Sequence, residues 1–255
     1  MNIKDKNKPK KAYIKLFESV VDTILPPRCP GSGEVVEIQG AVSPNFWDKL
    51  QFIEKPFCKK CSIPFSFESD ENVICGRCLD EDPFYDESRA AVVYNDASRR
   101  VILNFKFNDK THYVHTFVPW MLRAGKELIE QSDYIIPVPL HPKKIRMRKF
   151  NQSALLAQAI AKKTNVKYLP DGLIRTRHTI PQKGLNKKQR LENISGAFEI
   201  SDNYLDKLAH KNILIIDDIF TTGATLNECA RILKNAGSCK VSVLTIARVT
   251  KEEFV

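Results

Sequence analysis

The chain has 255 residues, with 40 Lys+Arg against 30 Asp+Glu and a formal charge of +10. Hydrophobic residues make up 43% and charged residues 27%, the balance of a globular chain with room for one large domain or for a medium and a small one. No apolar run approaches the roughly 18–20 residues of a membrane-spanning helix, and the Lys-rich start lacks the apolar core of a secretory signal, so a cytoplasmic protein without a membrane span is expected.

The charge is local. Between Tyr134 and Leu191 stand fourteen Lys/Arg and a single acid, Asp171, which gives this window +13 and leaves the rest of the chain at −3. Such a basic middle fits a nucleic-acid strand or a small polyanion, and the total charge does not separate the two.

In chain order, residues 1–25 read as a basic tail and an amphipathic helix over Tyr13–Leu25, stopped by Pro26-Pro27. Residues 26–88 read as a zinc-binding module. Its core is Cys58-x2-Cys61-x13-Cys75-x2-Cys78, two hairpins that each offer two thiolates and together make a tetrahedral, closed, structural Zn²⁺ site. Cys29 has Ser32 where a CxxC partner would stand. Cys229 and Cys239 read as small core residues. Asp80–Glu87 is an acidic linker.

Residues 89–255 alternate strand and helix. Strands are expected at Arg89–Tyr94, Tyr134–Pro139, Asn212–Asp217 and Lys240–Ala247. Helices are expected at Ala97–Phe107, Val114–Glu130, Gln152–Lys163 and Ala224–Asn235, the last stopped at Gly237. The alternation implies an α/β fold with a parallel sheet flanked by helices, whose ligands bind beyond the carboxyl ends of the strands.

Three segments carry chemistry. After Ile136-Pro137-Val138-Pro139 comes a basic loop with Lys143, Lys144, Arg146, Arg148 and Lys149, suited to a pyrophosphate or to a solvated turn. Arg175–Arg190, with Arg175, Arg177, His178 and Arg190, lacks periodicity and reads as a lid. The third segment is Asn212–Thr225. A buried strand delivers Asp217 and Asp218, and the loop Thr221-Thr222-Gly223-Ala224-Thr225 enters a helix. Backbone N–H groups at that helix start, with three hydroxyls, suit a phosphate monoester, and the carboxylates suit a sugar diol or a hydrated Mg²⁺. A response-regulator reading fails, because only 37 residues follow Asp218 and none is Asp.

This last segment resembles the phosphoribosyl pyrophosphate (PRPP) motif of type I phosphoribosyltransferases. The whole chain resembles the competence protein F (ComF) family through Pro26–Cys29, Cys58–Cys78, Pro137–Gln152, Thr179–Phe198 and Ile213–Thr225. Lys149 replaces the family's usual Gly before Phe-Asn-Gln, and Ile180 and Lys183 are milder departures. The resemblance implies a type I phosphoribosyltransferase-like sheet and PRPP bound with Mg²⁺. It also implies a role in natural transformation and DNA uptake, with single-stranded DNA and DNA-uptake proteins as partners. Two readings stay open: a phosphoribosyltransferase, or a non-catalytic PRPP-sensing or single-stranded-DNA-binding protein on the same basic face.

Overall fold

The computed structural model describes residues 26–68, 70, 72–177, 189 and 193–250. The Tyr13–Leu25 helix, His178 and Arg190 lie outside the described residues. Among the described residues seven strands form, numbered in chain order: β1 (Glu87–Val93), β2 (Tyr134–Pro137), β3 (Lys167–Tyr168), β4 (Leu173–Arg175), β5 (Phe198–Ile200), β6 (Asn212–Phe220) and β7 (Lys240–Arg248). Five make one parallel sheet in the order β1-β7-β6-β2-β3. β4 and β5 pair antiparallel, with Arg175 opposite Phe198.

The order of the sheet determines where a ligand can enter. The chain leaving β2 returns on one side as β3, and the chain leaving β6 returns on the other as β7. Between the carboxyl ends of β2 and β6 the two connections part and leave a crevice, the usual ligand position in open α/β sheets. The helix Gln152–Lys163 buries Leu156, Ala157 and Ile160 on the face that holds Leu214 and Ile216. The helix Ala224–Asn235 buries Leu226, Cys229, Ala230 and Leu233 on the face that holds Ile213 and Ile215. Strands buried on both faces read as continuous apolar runs, which is why Ile213–Ile216 carries no alternation. At the end of the Ala224–Asn235 helix, Gly237 (φ 85) donates to the Lys234 carbonyl and Ser238 to that of Leu233, the double bond of a left-handed stop.

Four expectations need correction. The helix expected over Val114–Glu130 is two, Val114–Ala124 and Lys126–Glu130. Gly125 divides them where the backbone crosses β7 so closely that a Cβ would stand 2.5 Å from the Leu244 side chain. β6 runs past the acids to Phe220, because Ile219 and Phe220 pair with Ala247 and Arg248 of the equally long β7. Cys239 is exposed rather than in the core.

The fourth is the basic loop, which is the helix Pro142–Arg148. The His141 Nδ1 accepts from the Lys143 N–H at 3.2 Å, and Pro142 sits in the first turn. Lys149 ends this helix in the left-handed region (φ 66), and its ammonium pairs with Asp109 on the surface. A side chain there costs about 1 kcal/mol that glycine would not, and an exposed ion pair returns little. We therefore expect Lys149→Gly to raise the melting temperature by about 3 °C in a thermal denaturation series; a fall would show that the ion pair outweighs the backbone.

Candidate functional site

A cavity of about 370 Å³ opens at the crevice between β2 and β6. Its floor is Val138 and Leu140 after β2, with Asp217, Asp218 and Ile219 of β6; its rim is Thr221, Gly223, Ala224, Thr225 and Leu226. Lys106, Lys144, Arg148 and Arg175 face the same space. Four cations, from three segments far apart in sequence, thus surround two carboxylates.

The acids are held differently. Asp218 forms an ion pair with Lys106 at 2.9 Å. Asp217 accepts from the Ser153 hydroxyl at 2.8 Å and from the Asp218 N–H at 2.9 Å. Burial, then the Asp218 charge, push the Asp217 carboxyl up to about 7, against the pull of Lys106 and the two hydrogen bonds. On the cationic side, burial and then Arg175, Arg148 and Lys106 hold Lys144 below the ordinary ammonium range. The potential is therefore positive over the rim and suited to a polyanion.

The geometry of the Thr221–Thr225 turn has a local cause. Gly223 has φ 84, and a Cβ on it would meet the Phe220 ring at 2.7 Å, so the backbone turns tightly into the twelve-residue helix Ala224–Asn235. The helix start points its dipole into the cavity. Thr221, Gly223, Ala224 and Thr225 border the cavity as the sequence suggests. Thr222 faces a neighbouring cavity of about 210 Å³, with Arg77 and Tyr85.

The basic helix is two-sided. Lys144 and Arg148 turn into the cavity, whereas Lys143 and Arg146 are exposed and do not border it. Arg175 borders the cavity; Arg177 instead donates to the carbonyls of Asn193 and Ser195. Three site residues went unmarked in the sequence: Lys106, Gln152 and Ser153. Their signal was the Phe150-Asn151-Gln152 triplet. Asn151 caps the next helix by accepting from Ser153 N–H, and its amide donates to the Val138 carbonyl. Gln152 donates to the Lys106 carbonyl. The triplet fastens β2, the Lys106 helix and Ser153 around the acids.

Beside this cavity sit the four cysteines. The sulfurs of Cys58, Cys61, Cys75 and Cys78 all lie within 4.8 Å of one another, with Cys61 and Cys75 at 3.7 Å. A tetrahedron with Zn–S of about 2.3 Å has S···S edges of about 3.8 Å, so the set fits zinc. Cys58 accepts from the Cys61 and Cys78 thiols and is held far below the ordinary thiol range, while the same contacts push Cys61 and Cys78 up. Four sulfurs this close cannot all ionise without a cation among them.

The zinc module touches the Thr221–Thr225 turn directly. The Arg77 guanidinium donates to the Thr222 carbonyl. Arg248, 1% exposed, donates from Nε to the Cys61 carbonyl at 2.8 Å and from Nη1 to those of Phe220 and Thr221 at 3.1 and 2.6 Å. Sequence reasoning left Arg248 unmarked, because an Arg at a strand end ordinarily reads as a solvated charge.

Comparison with known proteins agrees with this architecture. A family model described as a double zinc ribbon domain matches residues 20–79, and one described as a phosphoribosyl transferase domain matches residues 151–254. The chain is 27% identical over 198 residues to Competence protein F of Haemophilus influenzae, covering 76% of this chain and 85% of that one. It is 26% identical over 210 residues to Competence protein ComFC of Bacillus subtilis, covering 78% and 81%. It is 26% identical over 200 residues to DNA utilization protein YhgH of Escherichia coli (strain K12), covering 76% and 85%. Among the described residues no helix is long and apolar enough to cross a membrane. The chain is thus similar to the ComF-type competence and DNA utilization proteins, with a match to a zinc ribbon ahead of a match to a phosphoribosyltransferase domain.

Proposed function

We propose that this protein binds PRPP with Mg²⁺ in the cavity between β2 and β6 and serves DNA uptake in the cytoplasm. The observation that supports this reading best is the meeting of two carboxylates, a helix start behind a tight glycine turn and four cations in one cavity. The 5-phosphate goes to the Thr221–Thr225 turn, where N–H groups and hydroxyls favour it. The ribose diol goes to Asp217 and Asp218, which repel phosphate and accept from hydroxyls. The pyrophosphate goes to Lys144, Arg148 and Arg175, the cations farther along the rim. Asp217 and Asp218 are also hard oxygen donors of the kind Mg²⁺ takes, and the cation would neutralise charge on the pyrophosphate.

Calorimetric titration with PRPP and Mg²⁺ tests the reading. We expect one site per chain, and a fall in affinity of about tenfold or more for Lys144→Ala/Arg148→Ala, from two lost charge-assisted bonds. Affinity unchanged in that variant would remove the pyrophosphate assignment.

A second reading is favoured by the two-sided helix. Lys143, Arg146 and Lys149 face solvent beside Met147, which is 70% exposed, and none of them borders the cavity. Single-stranded DNA along this face would use phosphate contacts that weaken steeply with salt. We expect a fluorescent oligonucleotide to be released between 50 and 200 mM salt and to be weakened by Lys143→Ala/Arg146→Ala while PRPP binding stays intact. Competition with PRPP would instead place the strand over the cavity.

A further inference from the structure

Two stretches of the N-terminal module share one backbone. In the metal-binding stretch Cys58 N–H donates to the Ile63 carbonyl, Ser62 N–H donates to that of Cys58, and Phe57 bridges Pro64. Twenty-nine residues earlier Cys29 N–H donates to Glu34, Gly33 N–H donates to Cys29, and Arg28 bridges Val35. The residue four after each first cysteine has positive φ, 59° at Ser62 and 81° at Gly33. A short helix follows in both: Gly76–Glu81 behind Cys75 at φ −70, ψ 154, and Pro44–Trp47 behind Ser43 at φ −69, ψ 153. The correspondence runs through all four ligand positions. Cys29, Ser32, Ser43 and Phe46 stand where the second stretch has Cys58, Cys61, Cys75 and Cys78.

We infer that the module is a tandem of two zinc-knuckle folds of which only the second holds metal, the Phe46 ring filling the first in place of the ion. The chain therefore carries one zinc, although the family model matching residues 20–79 is that of a double zinc ribbon. One soft sulfur, two hydroxyls and a ring are not a zinc donor set. The remaining polar atoms are satisfied without a cation. Ser32 and Ser43 Oγ lie 2.9 Å apart, where Cys61 and Cys75 Sγ lie 3.7 Å apart, and Glu34 accepts from Ser32 and from the Asn45 amide. Phe46 is 4% exposed and packs in the cluster that holds Cys29 and Leu50. A Cβ on Gly31 would meet its ring at 2.1 Å; the metal-binding stretch has Lys60 at the equivalent place. The ring needs the room that glycine leaves, and the ion does not.

The two knuckles therefore grip opposite faces of the sheet by different means. The ring-filled one joins the apolar cluster of Phe105, Phe117 and Leu156. The metal one joins the cluster of Tyr85, Phe220 and Leu226 beneath the phosphate loop.

Elemental analysis of the full chain, purified with zinc in the medium, tests this directly. We expect one zinc per chain, still one in Cys29→Ser, and none in Cys58→Ser. Two zincs per chain, or a drop on Cys29→Ser, would overturn the inference. The positive arm is Ser32→Cys/Ser43→Cys/Phe46→Cys, expected to bind a second zinc and to double the cobalt-thiolate absorbance per chain after Co²⁺ exchange. A folded triple variant that still takes one ion would show that the correspondence is wrong. If that variant does not fold, the wild-type count and Cys29→Ser decide alone. Gly31→Ala is expected to lower stability while leaving the zinc count at one.

Discussion

Asp217→Asn is expected to raise the stability of the ligand-free protein at neutral pH and, on the proposed function, to weaken its hold on PRPP. The reason is that the fold disfavours an ionised Asp217. Its folded-state pKa is raised, to about 7, by burial and the Asp218 charge. Between about pH 4 and 7 the folded state keeps a proton that the unfolded state releases, so this group's contribution to stability falls as pH rises across that window and is lowest above it. Asn cannot ionise, yet its amide oxygen can still accept from Ser153 and from the Asp218 N–H. At roughly 1.4 kcal/mol per pK unit, the gain above pH 7 has an upper bound of about 4 kcal/mol, and about 2 kcal/mol after relaxation is expected. That is about 5 °C in melting temperature at pH 8, shrinking toward zero at pH 4. PRPP affinity should fall about 30-fold, the worth of one charge-assisted hydrogen bond. Melting curves across pH and calorimetry at pH 8 check both halves. A variant no more stable at pH 8 than at pH 4, relative to wild type, would show that Asp217 is ionised without strain.

Arg248→Ala is expected to cost about 3–5 kcal/mol, the range for breaking a buried charged network. Among the described residues no carboxylate pairs with this buried guanidinium. Burial pulls its pKa down and the Cys61 sulfur beside it pulls it back up. Its plane lies over the Phe220 ring, 4.3 Å from the centroid. The four-thiolate site supplies the balancing negative charge, and the carbonyls of Cys61, Phe220 and Thr221 take its protons. Truncation takes this donor from the Cys61 and Thr221 carbonyls, while Phe220 keeps the Val249 N–H, and leaves Arg77 on Thr222 as the remaining tie between the zinc module and the loop. Urea unfolding reads the stability loss, and calorimetry should show weaker PRPP binding even in variant protein that remains folded. Arg248→Lys should recover only part, because one ammonium cannot reach both Cys61 and Thr221. A variant with full PRPP affinity would show that the zinc module and the loop are merely adjacent.

Much of the site is legible in the sequence. The carboxylate pair, the Thr-Thr-Gly-Ala-Thr turn and the four zinc ligands each sit in a short run whose chemistry is local. So do the helices Gln152–Lys163 and Ala224–Asn235, whose bounds match the expected ones. The errors fall where local signals conflict with packing. Val114–Glu130 is apolar and continuous, but the close approach to Leu244 breaks it at Gly125. Pro142–Arg148 looks like a turn because it opens on His-Pro and ends before Phe-Asn, yet the His141 cap and Pro142 start a helix.

By itself the sequence determined the chemistry available to this protein: a tetrathiolate for zinc, a phosphate-loop motif and a basic excess confined to one window. A +13 window specifies charge, not direction, because helical phase decides which of Lys143, Lys144, Arg146 and Arg148 turn inward. Only the tertiary structure chose Lys144 and Arg148, brought in Lys106 and Ser153 from other elements, and set Arg248 between metal and loop. The reason is that a motif is a short-range property of the chain. A site of opposed charges needs the long-range parallel pairing of β2, β6 and β7, which no single segment contains.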